Sequence, residues 1–309
     1  MNTSIKNNPM YCDPETGMCE IQESPTTSQT VDTIAKNKPV KLIYFTDPIC
    51  STCWGIEPQL KKLKLEYGDY IEIDYRMGGL LKSWDTYGGS DVNGPNSVAQ
   101  HWDEASGWYK MPIDGNVWLE DPLDSSYPPS IAFKAAQIQS EEKAQDFMRI
   151  MREMVFLRKE NIAKWENIKQ AADMAGLDTE LLKTDFDGRA IQLFEDDLAL
   201  RQQLGVRGFP SIFFTDKDDN RFLVYGSKSY ENYEEALLKL FPKAEKKQYD
   251  TAPLKLLEKF KTLTTMEFAV LANVPFAEAE KALNDLAERG SVKKHSYRNG
   301  ELWETIATD

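Results

Sequence analysis

Residues 45–68 read FTDPICSTCWGIEPQLKKLKLEYG, with Cys50 and Cys53 separated by two residues. Two thiols at this spacing can exchange disulfides, hold part of a zinc site, or do neither. Their surroundings separate these readings. Upstream, PVKLIYFTD (39–47) is a short apolar and aromatic run ending at Asp47-Pro48, which fits a buried strand. Downstream from Trp54, apolar residues recur at Ile56, Leu60, Leu63 and Tyr67, and Gly68 can end the helix. YIEIDYRMGG (70–79) alternates and closes on glycines, a second strand. Strand, helix and strand within about forty residues make a βαβ unit with the cysteines at its first turn.

That position carries chemistry. Free amides and the dipole at a helix start favour negative charge, and the thiolate is the attacking species in disulfide exchange. Cys50 is therefore the expected nucleophile and Cys53 the resolving thiol. Ser51 and Thr52 supply hydroxyls, and no histidine lies between the cysteines, so moderate redox poise is expected. A four-cysteine zinc site with Cys12 and Cys19 is the alternative, but their six-residue spacing is a poor partner for the two-residue one. An inert pair is the other. Placement in a βαβ unit favours redox work, and no metal or cofactor is assigned.

Further along, 84–203 turns helical, in SIAFKAAQIQ, KAQDFMRIMREMVFLRKENI, WENIKQAADMAGL and TELLKTDFDGRAIQLFEDDLALRQQLG, for four or five helices. GVRGFPSIFFTD (205–216) and RFLVYGSKSY return to strand character, and NYEEALLKLF to helix. Pro210 opens that strand. A cis Phe209–Pro210 bond would leave the preceding backbone free to pair with an extended peptide, whereas an ordinary strand-entry proline would not. After the linker PKAEKKQYD come helical runs at 254–263 and 265–271, the helix PFAEAEKALNDLAERG, and a hairpin around Asn299-Gly300. This order matches a winged helix. The expected division is a flexible arm (1–37), a first thioredoxin-like part (38–83), a helical insertion (84–203), a second part (204–242) and a winged-helix-like unit (243–309).

The 309 residues carry a net charge of −13, which argues against general affinity for nucleic acid or anionic membrane. No run approaches the ~18 apolar residues of a membrane helix, and the first residues lack a signal's apolar core, so cytoplasm is expected. Met148, Met151 and Met154 read as core, the tryptophans as core or groove, and Glu195-Asp196-Asp197 as a solvated helix face. His101 is lone and needs no metal. Cys12 and Cys19 bracket a turn-prone loop that lets them join as a second redox pair, and a flexible arm with two reduced thiols is the equal alternative in a cytoplasm.

With these pieces together, the chain resembles the DsbA-like branch of the thioredoxin superfamily. The resemblance implies an α/β thioredoxin fold split by a helical insertion, Cys50 and Cys53 as the reactive pair, and Phe209, Pro210 and Trp54 as substrate contacts. DPICSTCWGIEPQLKKLKLEYG, DGNVWLEDPLDSSYPPSIAFKAAQIQ and GELWETI are further similar to the adaptors that bring the Spx transcription regulator to the ClpXP protease. Their arm is short and rich in histidine and cysteine, whereas this one reads YCDPETGMC. The residues thus predict a cytoplasmic thiol–disulfide oxidoreductase or isomerase acting on protein or small disulfides with a thiol reductant. The resemblance predicts, as the alternative, an adaptor with Spx and ClpXP as partners. A DNA-linked redox regulator is a third reading, resting on the final sixty residues, with their winged-helix order and the basic segment SVKKHSYRNG.

Overall fold

The computed structural model describes residues 10–12, 18–21, 38–86 and 94–306, the first two stretches as backbone. Strands β1 (Met10–Cys12) and β2 (Met18–Ile21) form a hairpin in which Cys12 and Cys19 are register partners. Their side chains, and so the expected second redox pair, lie outside the described residues, as does the rest of the arm. β3 (Val40–Thr46) is the expected buried strand. The helix read as continuous from Trp54 is two: α1 (Ser51–Gly55) and α2 (Glu57–Tyr67), broken at Ile56. Pro58 explains the break, because a proline is tolerated only in a helix's first turn. β4 (Ile71–Met77) then pairs with β3 in parallel.

Among the described residues seven α-helices follow, more than the four or five expected: α3 (Pro95–Tyr109), α4 (Val117–Glu120), α5 (Tyr127–Gln139), α6 (Glu141–Leu157), α7 (Trp165–Met174), α8 (Thr179–Phe186) and α9 (Arg189–Gln203). The chain returns through β5 (Ser211–Asp216), β6 (Arg221–Tyr225) and α10 (Tyr230–Leu240). The main sheet has six strands in the order β1-β2-β6-β5-β3-β4, antiparallel except for β3–β4. This is the split α/β arrangement expected. One core joins its strands to the inserted helices, and Met148, Met151 and Met154 are inside it. Asp197 is a correction to the solvated acidic run. It is fully buried, paired with Arg76 and Lys134 at 3.0 Å each, and accepts the Met77 N–H at 2.9 Å. Among the described residues, no helix is long and apolar enough to cross a membrane.

The C-terminal residues run α11 (Pro253–Phe260), β7 (Thr262–Thr264), α12 (Thr265–Ala272), α13 (Phe276–Glu288), β8 (Val292–Tyr297) and β9 (Gly300–Thr305). β7 replaces the end of the helical run expected to reach Leu263, because Thr262–Thr264 pair with β9. The preceding linker is pinned, with Lys246 joined to Glu66 and Glu234. Leu65 of α2 enters the small core around Trp303. Glu267 of α12, fully buried, meets Lys61 of α2 at 2.6 Å and Arg149 of α6 at 2.6 Å. The hairpin tip docks on the DGNVW segment. Arg298 pairs with Asp103 at 2.9 Å and Asp114 at 3.3 Å, and Asn299 donates to the Ile113 carbonyl at 2.7 Å. Gly115 is needed there, since a Cβ would lie 2.1 Å from the Ala99 carbonyl oxygen.

Candidate functional site

β3 delivers the chain to a turn at Asp47-Pro48-Ile49, and Cys50 caps α1. Asp47 builds the turn. Its carboxylate accepts the N–H of Ile49 at 3.1 Å, the N–H of Leu80 at 2.7 Å and the hydroxyl of Ser126 at 2.9 Å. Its carbonyl accepts the Cys50 N–H at 3.2 Å. Burial pushes the Asp47 carboxyl up to about 6, against the three donors that favour its charge. Native Asp47 therefore keeps its proton where the unfolded carboxyl has lost it. Stability from this group falls as pH rises from 3.8 to about 6. At about 1.4 kcal/mol per unit the loss is about 3 kcal/mol. Urea midpoints across this range should show that limb in the wild type and lack it in Asp47→Asn. An unchanged limb in the variant would assign it elsewhere.

Cys50 and Cys53 are free thiols, 5% and 0% exposed. The Cys53 N–H donates to Cys50 Sγ at 3.1 Å, the helix-start contact the sequence predicts. One amide at a five-residue helix does not decide the charge, however. Burial first, and then the bond with the Cys53 side chain, pushes the Cys50 thiol well above its ordinary value. Cys53 lies below its own. Burial opposes this, but the Cys50 thiol, the Arg152 guanidinium and the Thr46 hydroxyl outweigh it. Access still singles out Cys50, which lines a cavity that Cys53 does not reach. Iodoacetamide followed by mass spectrometry should label Cys50 before Cys53, and slowly. Faster labelling of Cys53 would make charge, not access, the controlling factor.

Arg152 is the principal residue that sequence reasoning missed. It sits on α6, far along the chain, and is 1% exposed. Its guanidinium donates to Thr46 Oγ1 at 2.7 Å and to the Asp47 carbonyl at 3.3 Å, and it is ion-paired with Glu57. No local pattern marks it, because its partners come from β3 and α2. Tyr44 joins the group. Burial and the nearby Cys53 raise its phenol.

The cavity beside Cys50 holds about 170 Å³ and is walled by Leu80, Trp84, Trp102, Trp118 and Phe209 with His101. The groove reading of the tryptophans holds for these three, and His101 lines the cavity with them. The Phe209–Pro210 bond is cis, and Phe209 shares this wall with Cys50. Gly78 makes room for that ring, since a Cβ would lie 2.1 Å from it. Trp54 is a correction. It is fully buried, donates to the Pro112 carbonyl at 3.1 Å, stacks on Phe156 and lies under Arg149, so no substrate can touch it. Among the described residues, no group of histidine, cysteine and acidic side chains has the geometry of a metal site.

A thioredoxin family model matches residues 44–235. The ClpXP adapter protein SpxH of Halalkalibacterium halodurans is 31% identical over 301 residues, covering 96% of this chain and 97% of that protein. SpxH of Bacillus subtilis is 31% identical over 277 residues, 88% of this chain and 91% of that one. Among solved structures, the cytosolic disulfide reductase DsbM from Pseudomonas aeruginosa superposes with a TM-score of 0.52 at 19% identity, covering 65% of this chain and 99% of that chain. The chain belongs to the thioredoxin family and, within it, to the SpxH family.

Proposed function

We propose that this chain is a cytoplasmic adaptor that binds an Spx-type transcription regulator and presents it to the ClpXP protease, with Cys50 and Cys53 kept as a redox-responsive pair. The observation carrying this reading is extent. The two SpxH relatives named as ClpXP adapters align over 96% and 88% of the chain, whereas the disulfide reductase aligns over 65%. Burial of both thiols supports it as well, because efficient exchange needs an accessible thiolate.

In this reading Phe209, Pro210 and the tryptophan-walled cavity contact a protein partner and not a turned-over disulfide. The C-terminal unit, 243–309, serves as a winged-helix-like protein-contact module. Its order of helix, strand, two helices and two strands supports the winged-helix assignment. Its α13 is acidic and its hairpin tip is engaged by Asp103 and Asp114, which disfavours groove reading on DNA. Purified Spx mixed with this chain should co-elute with it on gel filtration under reducing conditions. Separate elution of the two proteins would sink the adaptor reading.

Thiol–disulfide exchange is the second reading, favoured by the lowered Cys53 beside a cavity reached through Cys50. It predicts catalysed reduction of insulin.

A further inference from the structure

A cleft of about 760 Å³ shares no residue with the Cys50 cavity and runs along β4. Among the described residues, β4 is the last strand of the sheet and β3 is its sole neighbour. The bonding parity of the pair is set at both ends. Val40 N–H donates to the Tyr70 carbonyl at 3.1 Å, and Gly78 N–H to the Thr46 carbonyl at 2.7 Å. In a parallel ladder alternate residues face the neighbour, so Glu72, Asp74 and Arg76 bond β3. Ile71, Ile73, Tyr75 and Met77 turn their main-chain groups outward. Met77 confirms the parity, since its outward N–H is taken by Asp197 at 2.9 Å. Asp197, held by Arg76 and Lys134, closes that end. Among the described residues, nothing bonds the outward main-chain groups of Ile71, Ile73 or Tyr75.

The cleft is also cationic. Six lysine and arginine side chains line it against three aspartate and glutamate, in a chain of net charge −13. Of the acids, Asp74 is spent on Lys41 and Arg76, and Glu141 accepts from Gln137, which leaves Glu72. Lys38, Lys64 and Arg189 have no carboxylate partner among the described residues. Lys38 donates to the Gly68 carbonyl at 2.6 Å, and Lys64 to the Tyr75 hydroxyl at 2.9 Å.

We propose that β4 is a docking strand for an extended acidic segment of a partner protein. The segment adds to the sheet through the outward main-chain groups of Ile71, Ile73 and Tyr75, and its carboxylates meet Lys38, Lys64 and Arg189. Main-chain bonds supply the affinity of such an added strand, and alternate side chains supply its selectivity. Ile73, Ile138 and Leu193 offer apolar contact between the charges. The competing view is that the lysines merely guard an edge against aggregation. The site goes beyond the adaptor reading and is independent of it.

The probe is a fluorescein-labelled nonapeptide alternating Glu and Val, with a Lys–Val counterpart as control. Anisotropy with the full chain should show saturable binding of the first and none of the second. Ile73→Pro removes one outward N–H, a change an edge strand tolerates, and Arg189→Glu reverses charge on the opposite wall. Each should weaken binding about tenfold or more. Hydrogen exchange should show new protection at the amides of Ile71, Ile73 and Tyr75, with Glu72 and Asp74 protected already. No binding at millimolar peptide, or binding without that alternating protection, overturns the proposal. Self-association of the chain that Ile73→Pro abolishes would also overturn it, by making a second copy the occupant.

Discussion

Replacing Glu267 by Gln is expected to cost about 3–5 kcal/mol and to loosen the C-terminal unit from the rest of the chain. The carboxylate is fully buried and does three things at once. It meets Lys61 and Arg149, each at 2.6 Å, and it accepts the Thr264 N–H at 2.7 Å, completing the capping box of α12. The Arg149 and Lys61 cations beside it outweigh its burial and hold its carboxyl down to about 2. The amide keeps the shape and removes the charge. Lys61 and Arg149 are then left facing each other in the interior, offset by Glu153, 2.7 Å from Arg149, and by the more distant charge of Glu57. The native group binds fewer protons than the unfolded one between about 2 and 4.5. Its contribution is therefore full above 4.5 and is lost as pH falls towards 2. Urea unfolding at neutral pH should show the loss, and limited proteolysis should release residues beyond 243. A change below about 1 kcal/mol would mean that the ion cluster is no more than a solvated contact.

The second large effect separates the two readings of the cysteines. Cys50→Ala with Cys53→Ala removes every route to exchange at this site, so any insulin reduction should fall to the uncatalysed rate. Regulator binding should change by no more than about twofold, because neither sulfur supplies much accessible surface. The wild-type protein should bind the regulator differently when Cys50 and Cys53 are oxidised, and the double variant should not respond to oxidant. If the reduced double variant fails to bind, the sulfurs themselves are part of the docking surface.

Much of this was legible in the sequence because the signals were local. Apart from Lys41, PVKLIYFTD is apolar from Val40 to Phe45, as a strand covered on most of both faces must be, and Asn299-Gly300 follows alternating residues. The turn itself is Arg298-Asn299, with Tyr297 paired to Gly300. Helix α3 was missed because its buried face is made of Ala99, Ala105 and Ser106 around Trp102, which leaves only a faint apolar rhythm. β7 is three residues long, too short for any periodicity. Asp197 and Arg152 look like surface charges along the chain, and only the fold supplies the partners that bury them. Trp54 illustrates the same limit in reverse. The resemblance suggested contact with substrate, but Phe156 and Arg149 of α6 cover the ring.

Delivery is the central claim, and a reconstituted degradation assay tests it most directly. Purified ClpXP and Spx are incubated with ATP, with and without this chain, and the loss of Spx is followed in time. The account predicts that the wild type and the reduced double cysteine variant accelerate degradation alike, about tenfold or more, while Glu267→Gln is impaired. Degradation of Spx at the same rate with and without the chain would contradict it.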